Sequence, residues 1–116
     1  MSLFRKKPKV KVDPDYEFMI SRIRTSMSDM TFDISPEEEK FFRVLVKSTN
    51  KPWKIRLVRL KNGTFNVSTS EEYLGKICLQ DKIKFIQYID SKDNPISVEG
   101  DSADDLIPYI SKWFKK

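Results

Sequence analysis

The residues best suited to binding chemistry are the basic side chains that recur between Lys54 and Lys61. The stretch KIRLVRLK interleaves apolar residues with Lys54, Arg56, Arg59 and Lys61. Cationic side chains at this density can contact the phosphate groups of a nucleic acid. The same composition also occurs on the solvated face of an ordinary sheet, where polar residues alternate with buried ones. Both interpretations depend on where the chain places these side chains.

A second group of cations lies at the N-terminus. Residues 1–12 contain five basic residues and no acidic one, namely Arg5, Lys6, Lys7, Lys9 and Lys11. The net charge is +5, so the rest of the chain is balanced, with 17 basic residues (22 minus 5) against 17 acidic ones. Because the segment has few large apolar side chains, we expect a basic flexible arm, residues 1–12, before a single domain, residues 13–116.

Charge within the domain is sorted into blocks along the chain. Residues 13–39 carry eight acids and two bases, residues 40–70 carry eight bases and no acid, and residues 71–116 carry nine acids and seven bases. The basic 40–70 block indicates an anionic partner if it stays exposed. The acidic segments could also fold over it and neutralise it, and the sequence leaves both alternatives open.

Catalytic groups are sparse in this sequence. It contains no histidine, which excludes the usual Ser-His and Cys-His nucleophiles, and its three glycines are too scattered for a phosphate-cradling loop. The acidic runs at residues 37–39 and 101–105 are typical of helix N-termini. We therefore predict a non-enzymatic protein with no catalytic residue, no cofactor, no metal and no small-molecule substrate.

The single cysteine and the hydropathy pattern indicate the cellular compartment. Cys78 is alone and stands between apolar residues, which favours a small buried side chain and a reducing compartment. The chain has no leader-like apolar run and no segment near the roughly 20 apolar residues of a membrane span. The sequence predicts a cytoplasmic protein with no membrane partner.

Two helices are predicted at the start of the domain. Asp13-Pro14 has the residue types of an N-cap and a first helical position, and an apolar stripe with helical spacing continues to Met27. The motif SPEEEKFF predicts a second helix, because Ser35 and Glu38 have the spacing of a capping box.

The dipeptide Asn62-Gly63 predicts a β-hairpin with a two-residue type I′ turn. That turn pairs Arg59 with Asn66 and places both on the face opposite to Phe65. The pleat would then divide the positive charges of the hairpin between two faces.

The remaining elements complete an α+β fold. STSEEYLG predicts a helical turn that ends at Gly75, while KICLQ, KIKFIQYID and ISVEG predict strands. DSADDLIPYISKWFKK predicts an amphipathic C-terminal helix, in which Pro108 either delays the start or bends the axis. We expect two N-terminal helices, an antiparallel sheet of about four strands and a C-terminal helix packed on the sheet.

Strands followed by a terminal helix resemble the transcription-coactivator and whirly single-strand-binding modules in element order, although the N-terminal helix pair departs from them. This resemblance implies aromatic side chains that stack on bases, with Trp53, Phe65 and Tyr88 as candidates. For Trp53 and Phe65 the sequence favours a sheet core under the helices as the alternative to stacking.

The C-terminal IPYISKWF resembles a sliding-clamp-binding peptide, with Ile110 and the pair Trp113-Phe114 at its key positions. Packing of this segment on the sheet is the alternative that the sequence favours.

Two functional hypotheses follow. In the first, which we favour because the arm has no structural role in the predicted fold, the protein binds single- or double-stranded nucleic acid. The expected contacts are Arg5, Lys6, Lys7, Lys9, Lys11, Lys54, Arg56, Arg59 and Lys61. In the second, it is a protein interaction module that binds an acidic protein, forms a homo-oligomer or docks on a partner through Ile110, Trp113 and Phe114.

Overall fold

The computed structural model describes residues 13–25, 34–60, 62–80 and 82–114, which form one sheet with helices packed against it. The strands are β1 Arg24–Thr25, β2 Ile55–Arg59, β3 Phe65–Thr69, β4 Tyr73–Cys78, β5 Lys84–Ile89 and β6 Pro95–Gly100. The α-helices are α1 Pro14–Ser21, α2 Pro36–Lys47 and α3 Ala103–Leu106, and two 3-10 helices span Pro52–Lys54 and Ile107–Lys112. The predicted α+β class is confirmed. None of the helices in these ranges is long and apolar enough to cross a membrane.

The sheet is larger than predicted and it is mixed. Its six strands lie in sequence order, and β2 to β6 form an antiparallel meander. Strand β1 pairs with β2 in parallel, with Arg24 opposite Val58 and Thr25 opposite Arg59. A strand of two residues is too short to produce a periodic pattern, so sequence reasoning missed it.

The N-terminal region contains less helix than predicted. Helix α1 begins as expected, with Oδ1 of Asp13 accepting hydrogen bonds from the backbone N–H groups of Asp15 and Tyr16. It ends at Ser21 and strand β1 follows, whereas the predicted apolar stripe continued to Met27. Met27 lies outside the described residues.

Helix α2 is anchored by its cap and by its apolar face. The predicted capping box forms, because Oγ of Ser35 accepts from the Glu38 N–H at 3.1 Å and Oε1 of Glu38 accepts from the Ser35 N–H at 3.0 Å. Phe41, Phe42 and Leu45 are fully buried. The ring of Phe42 packs edge to face on the ring of Phe65, so α2 covers the sheet face that carries Phe65.

The predicted hairpin forms between β2 and β3, but its register differs by one residue. Arg59 pairs with Phe65 instead of Asn66, and the Leu60 N–H donates to the Thr64 carbonyl at 2.7 Å. The loop therefore spans three residues and is not the predicted two-residue turn. Gly63 closes it with a φ of +89°, a conformation that favours glycine.

This one-residue shift decides which side chains the sheet buries. Side chains alternate between faces along a strand, so the observed register puts Arg59 on the same face as Phe65. The covered face carries Ile55, Leu57, Arg59, Phe65 and Val67, all buried. Arg56 projects from the opposite face and is exposed.

The predicted helical turn before Gly75 is wrong, since β4 already begins at Tyr73. Gly75 instead lies inside the sheet and permits a close approach. A Cβ atom at this position would overlap the carbonyl oxygen of Gln87 and lie 2.8 Å from Nε1 of Trp113. Without it, the indole N–H of Trp113 donates to the Gln87 carbonyl at 2.9 Å.

The C-terminal segment is not the continuous α-helix that was predicted. Helix α3 is a single turn, and a 3-10 helix follows from Ile107. Pro108 gives the reason, because proline has no N–H to donate to the carbonyl of the residue four positions earlier. The predicted apolar side remains, with Leu106, Ile110 and Trp113 buried against the core.

Candidate nucleic-acid interface

Most of the described basic residues between positions 40 and 70 pair with acidic side chains. The shortest nitrogen–oxygen distances are 2.7 Å for Lys40–Asp104, 2.8 Å for Arg43–Glu39, 3.9 Å for Lys47–Asp13, 2.7 Å for Lys54–Glu71 and 2.6 Å for Arg59–Glu38. The hydrogen bond that Lys40 donates to Asp104 raises the pKa of Lys40, and the one that Arg43 donates to Glu39 raises the pKa of Arg43. The fold therefore neutralises much of the basic 40–70 block, as one of the two alternatives expected.

Arg59 is removed from the surface altogether. It is 1% exposed, and its guanidinium donates to Oε2 of Glu38 at 2.6 Å and to the carbonyl of Gly63 at 3.1 Å. The guanidinium carbon also lies 4.1 Å from the centre of the Phe65 ring. These contacts hold the hairpin loop against α2 and leave no access for a phosphate, so we exclude Arg59 from the interface.

Three arginine side chains near β1 and β2 have no ion-pair partner among the described residues: Arg22, Arg24 and Arg56. The face of the sheet opposite to the one covered by α2 is called the open face. Arg24 pairs with Val58, so it lies on this open face together with Arg56, which is two residues before Val58 in β2. Residues at diagonal positions on neighbouring strands, such as Arg24 and Arg56, lie on the order of 7 to 8 Å apart along the sheet surface. Both arginines are exposed and project from the same face of the sheet.

An exposed corner of aromatic residues contacts Arg22, where α1 meets the 3-10 helix Pro52–Lys54. Trp53 is 54% exposed and Phe18 is 47% exposed. Nη1 of Arg22 donates to the carbonyl of Trp53 at 2.9 Å, and its guanidinium carbon lies 4.9 Å from the centre of the Phe18 ring. We refer to Phe18, Arg22 and Trp53 as the aromatic–arginine cluster.

The other aromatic candidates from the sequence do not share this exposure. Phe65 belongs to the core, as the core alternative expected, and Tyr88 is partly buried with the Lys112 ammonium 5.9 Å from its ring centre. Among the three, Trp53 offers the free aromatic surface. Sequence reasoning missed Phe18, although its position between Tyr16 and Met19, off the apolar stripe, was a usable signal.

Several predicted contacts lie outside the described residues: Arg5, Lys6, Lys7, Lys9, Lys11 and Lys61. Residues 1–12 precede Asp13, the N-cap of α1, in the chain, and Phe18 lies on the same helix.

The residues predicted to dock on a protein partner are engaged inside the fold. Ile110 and Trp113 are buried, and Phe114 packs partly buried against the core. The Trp113 ring meets the Phe41 ring edge to face with their centres 5.8 Å apart. This is the packing alternative for the C-terminal segment, and these residues are not part of the candidate interface.

A cleft of about 560 Å³ opens between β4, β5 and the C-terminal 3-10 helix. Its walls include three acidic side chains, Glu72, Asp90 and Asp93, and one basic side chain, Lys112. Burial raises the pKa of Tyr73 at its edge. An excess of carboxylates repels phosphate, so this cleft is not part of the candidate nucleic-acid interface.

No protein-family model, curated protein or solved structure matches this chain significantly. The resemblances to single-strand-binding modules and to a clamp-binding peptide therefore stay predictions.

Proposed function

We propose that this protein binds nucleic acid, with Arg22, Arg24 and Arg56 contacting the phosphate backbone together with the basic arm. The observation that carries the proposal is that Arg22, Arg24 and Arg56 have no carboxylate partner among the described residues. Five other basic residues, all between positions 40 and 70, are held by carboxylates. A guanidinium that has no internal carboxylate partner gives up little when it binds a phosphate oxygen.

The position of these charges also supports a shared surface. Arg24 and Arg56 lie on one sheet face, and Arg22 precedes Arg24 by two residues on the chain. The arm adds five cations that are attached at the start of the helix bearing Phe18. If these cations bind phosphates together with the arginines, each neutralised phosphate releases counterions.

A protein partner is the second candidate function, and the aromatic–arginine cluster supports it. Aromatic and arginine side chains are enriched at protein interfaces and frequently dominate their binding energy. We rank this candidate second because two further unpaired guanidinium groups, Arg24 and Arg56, and the acid-free arm accompany the cluster. Several guanidinium groups without an ion-pair partner fit a polyanion better than a mixed protein surface.

The test is a titration of labelled oligonucleotides with the full chain and with two matched variants, followed by fluorescence anisotropy. Arg24→Gln/Arg56→Gln removes two charges from the interface, and Lys40→Gln/Lys92→Gln removes two exposed charges elsewhere. We expect the first variant to bind at least tenfold more weakly and the second to change less than twofold. A plot of log affinity against log salt concentration between about 50 and 200 mM has a negative slope. Loss of two phosphate contacts should make that slope shallower by about 1.5.

Deletion of residues 1–12 is a second test of the proposal. The truncated chain should keep its circular dichroism spectrum, bind more weakly and show a flatter salt dependence, because five cations are lost. Absence of binding by the parent chain at about 50 mM salt would overturn the proposal. Equal losses in the two charge variants would also overturn it, since binding would then follow net charge alone.

A further inference from the structure

We infer that the aromatic–arginine cluster is a base-stacking site that makes the protein prefer single-stranded over double-stranded nucleic acid. The inference rests on the proposed function, because it specifies the form of nucleic acid that the same surface selects. It concerns Phe18, Arg22 and Trp53, of which sequence reasoning had identified only Trp53.

The exposure of the two rings is the first step. The described chain has four large apolar side chains that are strongly exposed, and two of them, Phe18 and Trp53, belong to this cluster. Phe41, Phe42 and Phe65 show that the core takes aromatic rings where it needs them, since all three are buried. Exposed rings add little to folding, and they leave an apolar surface that a bound molecule can cover.

A nucleobase is the kind of molecule that fits these exposed rings. A flat exposed ring offers its face to another flat ring, and every nucleobase has such a face. Bases in a duplex are already stacked on both sides, whereas those of a single strand are free to stack on protein side chains. A single strand can therefore use both the phosphate contacts and the rings, while a duplex uses the phosphate contacts alone.

Arg22 connects the two kinds of contact. One N–H of its guanidinium is committed to the Trp53 carbonyl, and the group lies near the Phe18 ring. A guanidinium has five N–H donors, so others stay available for a phosphate oxygen or a base edge. The fold thus holds this cation beside the Phe18 ring and the Trp53 backbone, where it can bind the backbone of a strand whose bases stack on the exposed rings.

The two tryptophans give a direct measurement, because Trp113 is buried and Trp53 is exposed. A base that stacks on Trp53 should quench its emission and shield it from a soluble quencher such as acrylamide. We expect a single-stranded oligonucleotide to do this with the full chain. A duplex of the same sequence should bind through its phosphates and leave the exposed tryptophan accessible to the quencher.

Matched substitutions separate the stacking role from general surface effects. Trp53→Ala should weaken single-strand binding about tenfold and duplex binding less than twofold, as expected for the loss of one stacked base. Trp53→Phe should recover most of the lost affinity. Ile83→Ala, which truncates another exposed apolar side chain outside the cluster, should leave both affinities unchanged. Thermal melts establish that each variant is folded.

The outcomes distinguish failure of the inference from failure of the proposed function. If neither form of nucleic acid binds the parent chain, the proposed function falls and the inference falls with it. If both forms bind with equal affinity and Trp53→Ala changes neither, the proposed function stands and the stacking site is refuted. Binding of single strands without any shielding of Trp53 would equally refute it, and the cluster would then be assigned to a protein contact.

Discussion

Glu38 and Arg59 are 21 residues apart in the chain and form a buried ion pair, with Oε2 and Nη1 at 2.6 Å. Each residue is only 1% exposed. The same carboxylate closes the capping box with Ser35 and accepts a hydrogen bond from Nε2 of Gln80 at 2.9 Å. One side chain therefore ties the start of α2 to the hairpin and to the residues after β4.

Arg59→Met should be strongly destabilising, because it leaves the Glu38 carboxylate buried without its cation. Loss of one partner from a buried pair costs about 3 to 5 kcal/mol. Arg56→Met is the matched control, since Arg56 is on the same strand but exposed, and a surface change of this kind stays within about 0.5 kcal/mol. Urea unfolding of the two variants measures the difference.

The double variant Glu38→Gln/Arg59→Met tests whether the unpaired charge of Glu38 causes this loss of stability. Glutamine keeps an oxygen for the capping box but carries no charge, so the double variant should be more stable than Arg59→Met alone. Equal unfolding free energies for Arg59→Met and Arg56→Met would contradict the buried position of Arg59 and with it the observed register.

Trp113→Ala should cost roughly 3 to 5 kcal/mol, because it removes a buried large aromatic ring that packs on Phe41. Trp113→Phe keeps most of the ring volume but loses the hydrogen bond to the Gln87 carbonyl, so its cost should be nearer 1 kcal/mol. Thermal and urea unfolding measure both. If Trp113→Ala melts like the parent, the C-terminal segment does not pack on the sheet.

Ser35→Ala should lower the free energy of unfolding by about 1 kcal/mol, because the Glu38 N–H loses its capping oxygen. Ser97→Ala on the exposed part of β6 is a suitable control and should have little effect on unfolding. Identical urea midpoints for parent and Ser35→Ala would mean that α2 does not depend on this cap.

Tyr16 makes stability depend on pH in the alkaline range. Burial, followed by the negative charge of Glu39, raises the pKa of the Tyr16 hydroxyl above the ordinary value of 10.0. The folded state thus holds the proton more tightly than the unfolded state, so this stabilising contribution is present below pH 10 and decreases as pH rises through the folded pKa. Tyr16→Phe cannot ionise and lacks this dependence.

Urea unfolding of parent and Tyr16→Phe between about pH 8 and about pH 11 measures that difference. The parent should lose more stability than the variant over this range. Parallel curves would show that Tyr16 has the same pKa in the folded and unfolded states.

Local chemistry in the sequence was sufficient for much of the secondary structure. The N-caps at Asp13 and Ser35 depend on side chains and N–H groups within three residues of each other, so their residue types identify them without knowledge of the fold. The same holds for the existence of β2 to β6, since apolar alternation and β-branched residues are local signals. The exposure of Phe18 was also readable from its position off the helix stripe.

Long-range contacts settled the features that the sequence could not provide. The register of β2 on β3 differs from the prediction by one residue, because burying Ile55, Leu57 and Phe65 on one face outweighs the local preference of Asn-Gly for a two-residue turn. That register turned Arg59 from an expected phosphate contact into a core ion pair.

Charge pairing required the folded structure for the same reason. Lys40 and Asp104, or Arg59 and Glu38, are distant along the chain, and a count of charges per segment contains no information about which of them meet. Arg22 and Arg24 belong to an acidic segment and Arg56 to a basic one, so no block of the sequence predicted which arginines would lack an ion-pair partner among the described residues. Electrostatic energy depends on the distance between charges in space, which the packing of helices on the sheet sets.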